Sequence, residues 1–356
     1  MTSSALLTIL PSLGLAMVIL NALSMRTISQ SSRTTLASAT LLIPMRNEEK
    51  NVESAIISAT SQRGIGDFAV RILNDHSEDA TLALLQKNRS NFNFEILHGK
   101  DLPDGWLGKN WACFQLSEGL ESKYFVFVDA DVELDKNALS NSIDALEKWE
   151  LDFLSPHPRE VALTFFERII QPLLQWSWMA SVPLRLAERF GIRSMTIANG
   201  QFFIISRDAY VKIGGHNSIR DEVLDDLALA RELVRNGFRG AVADASPIAQ
   251  CRMYSSRQEL INGYTKSLWR AFGSPIGALL ASLILLILGV LPISYALLGN
   301  SWGFIAYLLV ALSFAITAKK TRYSWAATFL HPLSIVILIG LIQYSFIKHS
   351  QGKNIW

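Results

Sequence analysis

Long apolar runs at the two ends of the chain enclose a central segment in which apolar and polar residues alternate over short distances. The runs contain no Asp, Glu, Lys or Arg, and each is long enough to cross a bilayer as a helix. They occupy residues 5–23, 276–298, 302–318 and 325–347. All 31 acidic residues lie between Arg26 and Pro275. We therefore predict a transmembrane anchor (1–25), a soluble domain (26–275) and a C-terminal membrane domain (276–356).

The distribution of basic residues predicts the orientation of these helices. No Lys or Arg precedes the first apolar run, whereas Arg26 and Arg33 follow it, which is typical of an uncleaved anchor and not of a signal peptide. The positive-inside rule then places the soluble domain and the basic segment 319–323 in the cytosol. The tail would lie outside, although Lys348 and Lys353 oppose this. We expect a multi-pass protein of the cell (inner) membrane with its soluble domain, residues 26–275, facing the cytoplasm.

Residues 169–184 form a further uncharged stretch, interrupted by prolines and glutamines. A spanning helix here would place 129–131 and 225–226, the acidic pairs described below, on opposite sides of the membrane. We therefore interpret 162–190 as an interfacial or re-entrant element, with a buried core helix as an equally weighted alternative. In the interfacial case its tryptophans would lie near the lipid headgroups: Trp176 and Trp178.

The central segment alternates between strand and helix patterns. Strands are predicted at 40–45, 68–75, 94–99 and 124–131, and helices at 48–62, 77–88 and 109–119. Short strands separated by helices favour an α/β fold with a mainly parallel sheet, in which ligands bind beyond the carboxyl ends of the strands. Polar residues follow several of these ends and would share one edge of the sheet: Asn47, Glu48, Asp75, Asp129 and Asp131.

Composition and the absence of several known motifs argue against a number of functional classes. The net charge is +2, and the absence of a basic stripe argues against a nucleic-acid partner. Two cysteines, Cys113 and Cys251, indicate neither a disulfide framework nor a metal cluster. The sequence has no GxGxxG after its first strand and no P-loop, GxSxG or HExxH motif. Nothing in it indicates the oligomeric state.

Asp129 and Asp131 are the first candidate pair. Positions i and i+2 of an extended segment point the same way, so the two carboxylates can hold a hard divalent cation that also binds phosphate oxygens. The alternative is that they cap the next element or face water. A bare D-x-D is common, and the pair alone does not decide between these interpretations.

Three other segments carry candidate chemistry. Asp75 ends a strand on the ligand-binding edge, although a turn with Ser77 as N-cap also explains its surroundings. Lys109 opens a helix, where it opposes the helix dipole unless an anionic ligand lies nearby. Asp225 and Asp226 open an amphipathic helix, where acids are favoured in any case.

Together these segments resemble the family 2 glycosyltransferases with a GT-A fold. "PMRNEEKNV", "NDHSEDAT", "DAD", "NGQFFIISRDAYVKIGG" and "DDLALARELVRNGFR" resemble the family's motifs in order over about residues 40–272. Asn74 and Asp225 depart from the usual Asp and Glu. "LPDGWLGKNWA", followed by membrane helices, resembles the membrane-bound branch that glycosylates carotenoids and related polyisoprenoid or hopanoid-associated lipids. The Q-x-x-R-W motif of the processive synthases is missing, which favours transfer of a single sugar.

The resemblance implies a donor site, a metal and a catalytic base. The donor implied is a UDP-sugar, with UDP-glucose as the expected one, and the metal implied is Mg²⁺ or Mn²⁺. Asp131 and Asp129 would hold the metal on the diphosphate, and Asp226 would be the general base, with Asp225 its nearest competitor. The remaining donor-site residues would be Pro44, Asn47, Glu48, Asp75 and Lys109.

The resemblance also implies a lipid acceptor in the bilayer. We predict an acceptor region formed by Gly200, Phe165, Phe166, Trp176, Trp178 and Trp269, although Trp269 equally fits a juxtamembrane anchor. Polyprenyl phosphate, a hopanoid or diacylglycerol are alternative acceptors. An alternative of another class is a non-catalytic, nucleotide-binding scaffold or transport protein. The scarcity of strongly polar residues in the apolar runs gives transport little support.

Overall fold

The structure, a computed structural model, describes residues 3–32, 34–268, 271 and 274–350. The chain divides into two compact units. The sheet unit comprises Met25–Arg159 and Leu186–Cys251, and the membrane-helix unit comprises Met1–Ser24, Glu160–Arg185 and Arg252–Trp356.

The strands run in chain order as β1 (Thr35–Met45), β2 (Ile65–Asn74), β3 (Glu95–His98), β4 (Tyr124–Val128), β5 (Val132–Leu134), β6 (Phe153–His157), β7 (Arg159–Glu160), β8 (Phe202–Ser206), β9 (Gly240–Asp244) and β10 (Ala249–Cys251). Seven of them form a sheet in the order β3-β2-β1-β4-β8-β6-β9. Its pairings are parallel except those of β8, which is antiparallel to both β4 and β6. The predicted mainly parallel α/β fold is confirmed.

The helices that accompany this sheet are α2 (Val52–Thr60), α3 (Thr81–Asn88), α4 (Gly108–Ser117), α5 (Ala138–Lys148), α9 (Arg207–Ile213) and α10 (Asp225–Arg235). All five residues of β4 are buried, in agreement with a strand covered on both faces. Around it the aromatic rings of Phe125, Phe127, Phe153, Phe203 and Tyr210 form part of a hydrophobic core. This core fixes the strand ends that carry the candidate site.

One edge of the sheet gathers the polar residues, as expected. The parallel strands β1, β2 and β4 end there, and each end is followed by a candidate residue. Because β8 is antiparallel to β4, with Val128 paired to Phe202, the start of β8 lies at the same edge. Gly200 therefore lies beside the end of β4, although it comes 72 positions after Val128 in sequence.

The membrane-helix unit contains α1 (Ile9–Ser24), α12 (Pro275–Leu297), α13 (Ser301–Thr321) and α14 (Ala326–Ser350), together with α11 (Arg257–Ser267). Within the described residues, four helices are long and apolar enough to cross a membrane: Ala5–Ser24, Pro275–Leu297, Ser301–Thr321 and Ala326–His349. The predicted set of one N-terminal and three C-terminal helices is confirmed.

The uncharged stretch after β7 folds as short helices, α6 (Phe165–Ile170), α7 (Pro172–Ser181) and α8 (Leu184–Phe190). Within the membrane-helix unit α7 packs between α1 and α13. Asn21 of α1 donates its Nδ2 to the carbonyl oxygens of Met179 and Val182, at 2.9 and 2.7 Å. The ring of Trp176 is buried, stacks on Phe314 and donates Nε1 to Ser313 Oγ at 2.7 Å.

Candidate active site

A pocket at the polar edge of the sheet brings together residues from separate segments of the chain. Lys109 comes from the start of α4, Asp129 from the end of β4, and Asp225 and Asp226 from the start of α10. The pocket is lined by Pro44, Lys109, Cys113, Phe127, Val128, Asp129, Gly200, Phe203, His216, Asp225, Asp226 and Leu229. Aromatic and aliphatic walls with a few converging charges are typical of a substrate site.

Lys109 is the positive charge of this pocket. Its Nζ lies 2.9 Å from Asp129 Oδ1 and 3.5 Å from Asp225 Oδ2. Burial by itself would lower the pKa of Lys109, but the two carboxylates hold it well above its ordinary value. The ammonium group is therefore charged at neutral pH and joins β4 to α10 electrostatically.

Asp129 and Asp131 differ in their partners. Asp129 pairs with Lys109, and its backbone N–H donates to the carbonyl oxygen of Gln201 at 3.0 Å. Asp131 has the Cys251 thiol as a hydrogen-bonding partner. Burial, followed by the neighbouring Asp129, raises the pKa of Asp131 to about 7. Two close, partly desolvated carboxylates resist being ionised together, a situation that a bound cation reverses.

These carboxylates fit a divalent cation that shares its coordination with a ligand. Among the described residues, no group of three or more His, Cys, Asp or Glu side chains is placed to hold a metal by itself. Mg²⁺ in phosphate-binding sites typically takes only one or two protein carboxylates and completes its shell with phosphate oxygens and water. Oxygen donors from Asp129 and Asp131 meet that requirement.

Asp226 has the environment of a base rather than of a helix cap alone. Its Oδ2 accepts the backbone N–H of Gly200 at 2.8 Å, and its Oδ1 accepts the N–H of Leu227 at 2.7 Å. Burial and then the charge of Asp225 raise its pKa to about 6, against the opposing effect of Lys109. Asp226 is thus largely ionised at pH 7, yet can accept a proton more readily than an ordinary aspartate.

Gly200 is required by the position of Asp226. A Cβ added to Gly200 would lie 3.1 Å from Asp226 Cβ, tighter than ordinary van der Waals contact. The predicted acceptor-region residue Gly200 therefore contacts the predicted base directly. Phe165, Trp176 and Trp178 belong to the membrane-helix unit, where Phe165 is exposed and Trp178 half-buried. Trp269 lies outside the described residues.

The loop after β1 is held by the loop after β2. The backbone N–H of Asn47 donates to Ser77 Oγ at 3.0 Å, and Asn47 Oδ1 accepts the N–H of Glu78 at 2.8 Å. The N–H of Glu48 donates to Thr81 Oγ1 at 2.8 Å. Asn47 has φ 57°, a left-handed conformation that asparagine tolerates better than most residues. Residues 47–51 thus form a turn, and α2 begins at Val52 instead of the predicted position 48.

Asp75 lies between the first two strand ends. Its backbone N–H donates to the carbonyl oxygen of Met45 at 2.8 Å, and its side chain is 12% exposed. Its carboxylate lies 3.3 Å from His76 Nδ1 and 3.9 Å from Arg46 Nη1. A Cβ on Gly99 would come within 2.9 Å of its Oδ1. The carboxylate is thereby held at the sheet edge, near but not among the residues that line the pocket.

Sequence reasoning missed the support behind Asp131. Cys251, which contacts Asp131, accepts a hydrogen bond from Gln201 Nε2 at 3.2 Å. Gln201 Oε1 accepts in turn from Asn199 Nδ2 at 3.2 Å, and Asn199 Nδ2 lies 3.3 Å from His157 Nε2. Asn199 and Gln201 lie in the segment 199–215 that resembles a family motif, but nothing in that motif links them to Asp131. Cys251 lies near Asp131 because β10 pairs with β5, with Cys251 opposite Val132.

His216 was also missed. It lines the pocket, is 3% exposed, and its Nδ1 lies 2.8 Å from the hydroxyl of Tyr210. Burial lowers its pKa to about 4, so its ring is neutral at pH 7. The only sequence signal was its position nine residues before Asp225, which is too weak to identify a site.

Comparisons with known proteins relate the sequence of this chain to glycosyltransferases. Residues 40–214 match the model of Glycosyl transferase family 2. Two 4,4'-diaponeurosporenoate glycosyltransferases of Staphylococcus aureus, from strains MRSA252 and bovine RF122 / ET3-1, are each 27% identical to this chain, over 255 and 257 residues. These alignments cover 70% and 71% of this chain and 66% of each relative, so the similarity spans just under two thirds of the relatives' length.

A solved structure shares the fold. The mannosyltransferase PcManGT from Pyrobaculum calidifontis, determined in complex with GDP-Man and Mn2+, is 14% identical with a TM-score of 0.60. The match covers 98% of this chain and 99% of that chain. At this identity the likeness concerns the fold alone, and it confirms the predicted GT-A-like architecture.

Proposed function

We propose that the protein transfers one hexose from a nucleotide sugar to a membrane lipid, since residues 40–214 match the model of Glycosyl transferase family 2. The observation that carries the proposal is the convergence of one ammonium group and three carboxylates in a single pocket: Lys109, Asp129, Asp225 and Asp226. Neutralisation of a diphosphate and activation of an acceptor hydroxyl are the two tasks of this reaction, and these groups can perform both.

The donor is proposed to be UDP-glucose, bound across the carboxyl ends of β1, β2 and β4. Asp75 would bind the base, beside the loop of Asn47 and Glu48, and Pro44 would line the diphosphate end. Lys109 carries the charge needed to bind phosphate oxygens, and it lies at the start of α4, where free backbone N–H groups also favour an anion. The mannosyltransferase with the same fold binds GDP-Man, so a GDP-sugar is the alternative donor.

Asp129 and Asp131 are proposed to hold Mg²⁺ or Mn²⁺ against the diphosphate. Their oxygen donors fit either ion. Burial raises the pKa of both carboxyls against the opposing effect of Lys109, and the neighbouring Asp129 raises that of Asp131 further, so a bound cation would relieve their repulsion. When bound, the cation supplies charge neutralisation for the departing diphosphate. Cys251 and Gln201 would keep Asp131 oriented toward it.

Asp226 is proposed to accept the proton of the acceptor hydroxyl. The acceptor oxygen forms a bond to the anomeric carbon as the bond from that carbon to the diphosphate oxygen breaks, and the configuration inverts. The proton passes to Asp226, and the negative charge leaves on the nucleoside diphosphate, where Lys109 stabilises it. Asp225 already pairs with Lys109 at 3.5 Å, which supports Asp226 as the base of the two.

The acceptor is proposed to be a carotenoid or related polyisoprenoid lipid. The relatives in Staphylococcus aureus are named for 4,4'-diaponeurosporenoate, and the suffix denotes a carboxylate. A carboxylate acceptor is ionised at neutral pH and needs no base, whereas a hydroxyl does. Because the raised pKa of Asp226 suits a general base, a hydroxyl is the favoured acceptor group, and a carboxylate is the second candidate.

The four apolar helices support a multi-pass membrane protein whose lipid acceptor is supplied by the bilayer. We propose the cell's inner membrane as its location and a cytoplasmic orientation for the sheet unit. A nucleotide sugar made in the cytoplasm would then reach the site without crossing the membrane.

Two variants in isolated membranes test the proposal. With UDP-glucose and a hydroxylated carotenoid, Asp131→Ala and Asp226→Asn should each reduce hexose transfer by about 100-fold or more. With a carboxylated carotenoid, Asp226→Asn should lose far less than Asp131→Ala, because the acceptor carries no proton to remove. Glu133→Ala, which changes an exposed carboxylate two positions further on, is the matched control. Full activity of either test variant on the hydroxylated acceptor would contradict the role given to that residue.

A further inference from the structure

His216 is a buried pocket residue that the reaction scheme above leaves without a task. It lies in the 3-10 turn Gly215–Ile219, between α9 and α10. Its ring packs edge-on against Phe127, with the ring centroids 4.7 Å apart. Asp225 and Lys109 are close enough to affect its ionisation. An imidazole so placed faces the same space as the proposed base and the proposed phosphate-binding lysine.

The hydrogen bonds on the far side of the ring determine its tautomer. Ser117 Oγ donates to the carbonyl oxygen of Phe114 at 2.7 Å, so its single hydrogen is in use. The 3.1 Å contact between Ser117 Oγ and Tyr210 Oη then requires the tyrosine hydroxyl to be the donor. Tyr210 Oη therefore accepts from His216, whose Nδ1 lies at 2.8 Å and whose backbone N–H lies at 3.2 Å.

This arrangement satisfies all four hydrogen bonds that join the Phe114 carbonyl, Ser117, Tyr210 and His216. The hydrogen of the neutral ring is on Nδ1, so Nε2 carries a free lone pair. Nδ1 is held on the Tyr210 side, which leaves Nε2 as the ring nitrogen that can meet a ligand. An acceptor on the pocket wall calls for a donor from a ligand, because the ionised carboxylates of Asp225 and Asp226 have none to offer and the Lys109 ammonium is paired with Asp129 and Asp225.

We propose that Nε2 of His216 accepts a hydrogen bond from a hydroxyl group of the transferred hexose. The inference rests on the proposed function. Lys109 and Asp129 mark the diphosphate side of the pocket, and Asp226 marks the side where the acceptor hydroxyl reacts. The hexose lies between these two sides, where His216 lines the wall. His216 is thus a specificity residue for the donor sugar, held in the correct tautomer by Tyr210 and Ser117.

The test uses the full-length enzyme in membranes with UDP-glucose and its 2-, 3-, 4- and 6-deoxy analogues. In the wild type, one deoxy donor should show kcat/KM reduced by about tenfold or more beyond the others, since its missing hydroxyl leaves Nε2 unpaired. His216→Phe keeps a planar ring against Phe127 but removes the acceptor. This variant should lose about tenfold with UDP-glucose, and its selectivity against that one deoxy donor should disappear.

A second variant and a binding measurement separate recognition from folding. His216→Gln places an amide oxygen near the position of Nε2, so it should retain part of the selectivity that His216→Phe loses. The affinity of both variants for UDP, which has no hexose, should equal that of the wild type.

Several outcomes would overturn the assignment. Unchanged selectivity of His216→Phe among the deoxy donors would exclude contact with a sugar hydroxyl. A rise in KM for the lipid, with donor selectivity unchanged, would instead assign Nε2 to the acceptor. Loss of UDP affinity would indicate a structural role only. If the wild type transfers no hexose from UDP- or GDP-hexoses, the proposed function fails and this assignment fails with it. If the wild type is active but His216→Phe keeps its selectivity among the deoxy donors, only the role of His216 is contradicted.

Discussion

At the scale of single residues, two adjacent aspartates acquire different chemistry from their contacts. Asp225 lies beside the ammonium group of Lys109, whereas Asp226 is held by two backbone N–H groups and has no lysine within ion-pair distance among the described contacts. Burial and the neighbouring Asp225 raise the pKa of Asp226. A base with a pKa near the working pH combines availability with proton affinity.

The pH dependence of the reaction follows from the raised pKa of Asp226. A base works only when unprotonated, so kcat/KM with a hydroxylated acceptor should fall as the pH drops through about 6, the raised pKa of Asp226. The decline should approach tenfold per pH unit below that point. An initial-rate profile between pH 5 and pH 8, with UDP affinity measured in parallel, checks this. A rate constant that stays level to pH 5 would argue against Asp226 as the base.

Gly200 offers a test of how closely that base is positioned. In Gly200→Ala the added methyl group would press on Asp226 Cβ from 3.1 Å. We expect kcat to fall by about 10- to 100-fold, since small displacements of a catalytic group are costly, while UDP affinity stays within twofold. Gly340→Ala is the matched control, because a Cβ there meets nothing within 4 Å. Equal rates for the two variants would contradict the close contact between Gly200 and Asp226.

At the scale of elements, the strand ends could be predicted and their mutual support could not. Hydrophobic patterning placed Asp75 and Asp129 directly after β2 and β4. The extended segment predicted to reach Asp131 ends at Val128 instead, and Asp131 lies in the turn before β5, which the Val132 N–H closes on the Asp129 carbonyl oxygen. The start of α2 was predicted four residues early, since helix propensity does not register the hydrogen bonds that fix the Asn47 turn. Such bonds join two loops about thirty residues apart, and only the assembled sheet brings them together.

The candidate site shows the same division. Lys109 was predicted as a phosphate-binding residue from its position at a helix start, and the structure adds its ion pairs with Asp129 and Asp225. Cys251 and Gln201 could not be predicted as partners of Asp131, because Cys251 belongs to no motif and the family-like segment that contains Gln201 does not indicate which residues it contacts. Their contact arises from the antiparallel pairings of β10 with β5 and of β8 with β4, which strand-helix alternation does not reveal.

The loop contacts of Asn47 give a prediction at the element scale. Asn47→Ala removes the side-chain acceptor for Glu78 N–H and also disfavours φ 57°. We expect KM for the donor to rise by about tenfold, because each lost contribution is worth about 1 kcal/mol. Asn47→Gly keeps the backbone conformation but loses the acceptor, so its effect should be smaller. A donor KM unchanged in both variants would show that the turn does not organise the nucleotide site.

At the scale of the whole molecule, the two units divide the proposed work. The sheet unit carries the charged pocket, and the membrane-helix unit contains the four apolar helices. Their order along the chain places the sheet segments between the first candidate span and the remaining three. Under the proposed function, the sheet unit would bind the soluble nucleotide sugar and the membrane-helix unit would hold the enzyme at the bilayer that supplies the lipid.

The orientation of the spans can be measured by cysteine labelling in the wild-type sequence, without removing the two native cysteines. Cys113 and Cys251 are both buried, so an introduced surface cysteine should dominate labelling. Leu298 lies in the exposed connection between α12 and α13, and Lys319 lies near the end of α13. In intact cells an impermeant maleimide should label Leu298→Cys, but Lys319→Cys only after lysis. The reverse pattern would place the sheet unit outside.

The most direct test of the account is the mass of the lipid product. The purified enzyme in lipid nanodiscs receives UDP-glucose carrying a uniformly ¹³C-labelled glucose, Mg²⁺ or Mn²⁺, and a hydroxylated or carboxylated carotenoid. We predict a carotenoid product heavier by one labelled hexose, formed by the wild type and abolished by a chelator. Labelled hexose that never enters the lipid, or that accumulates as several units per lipid, would contradict single-hexose transfer to a membrane acceptor.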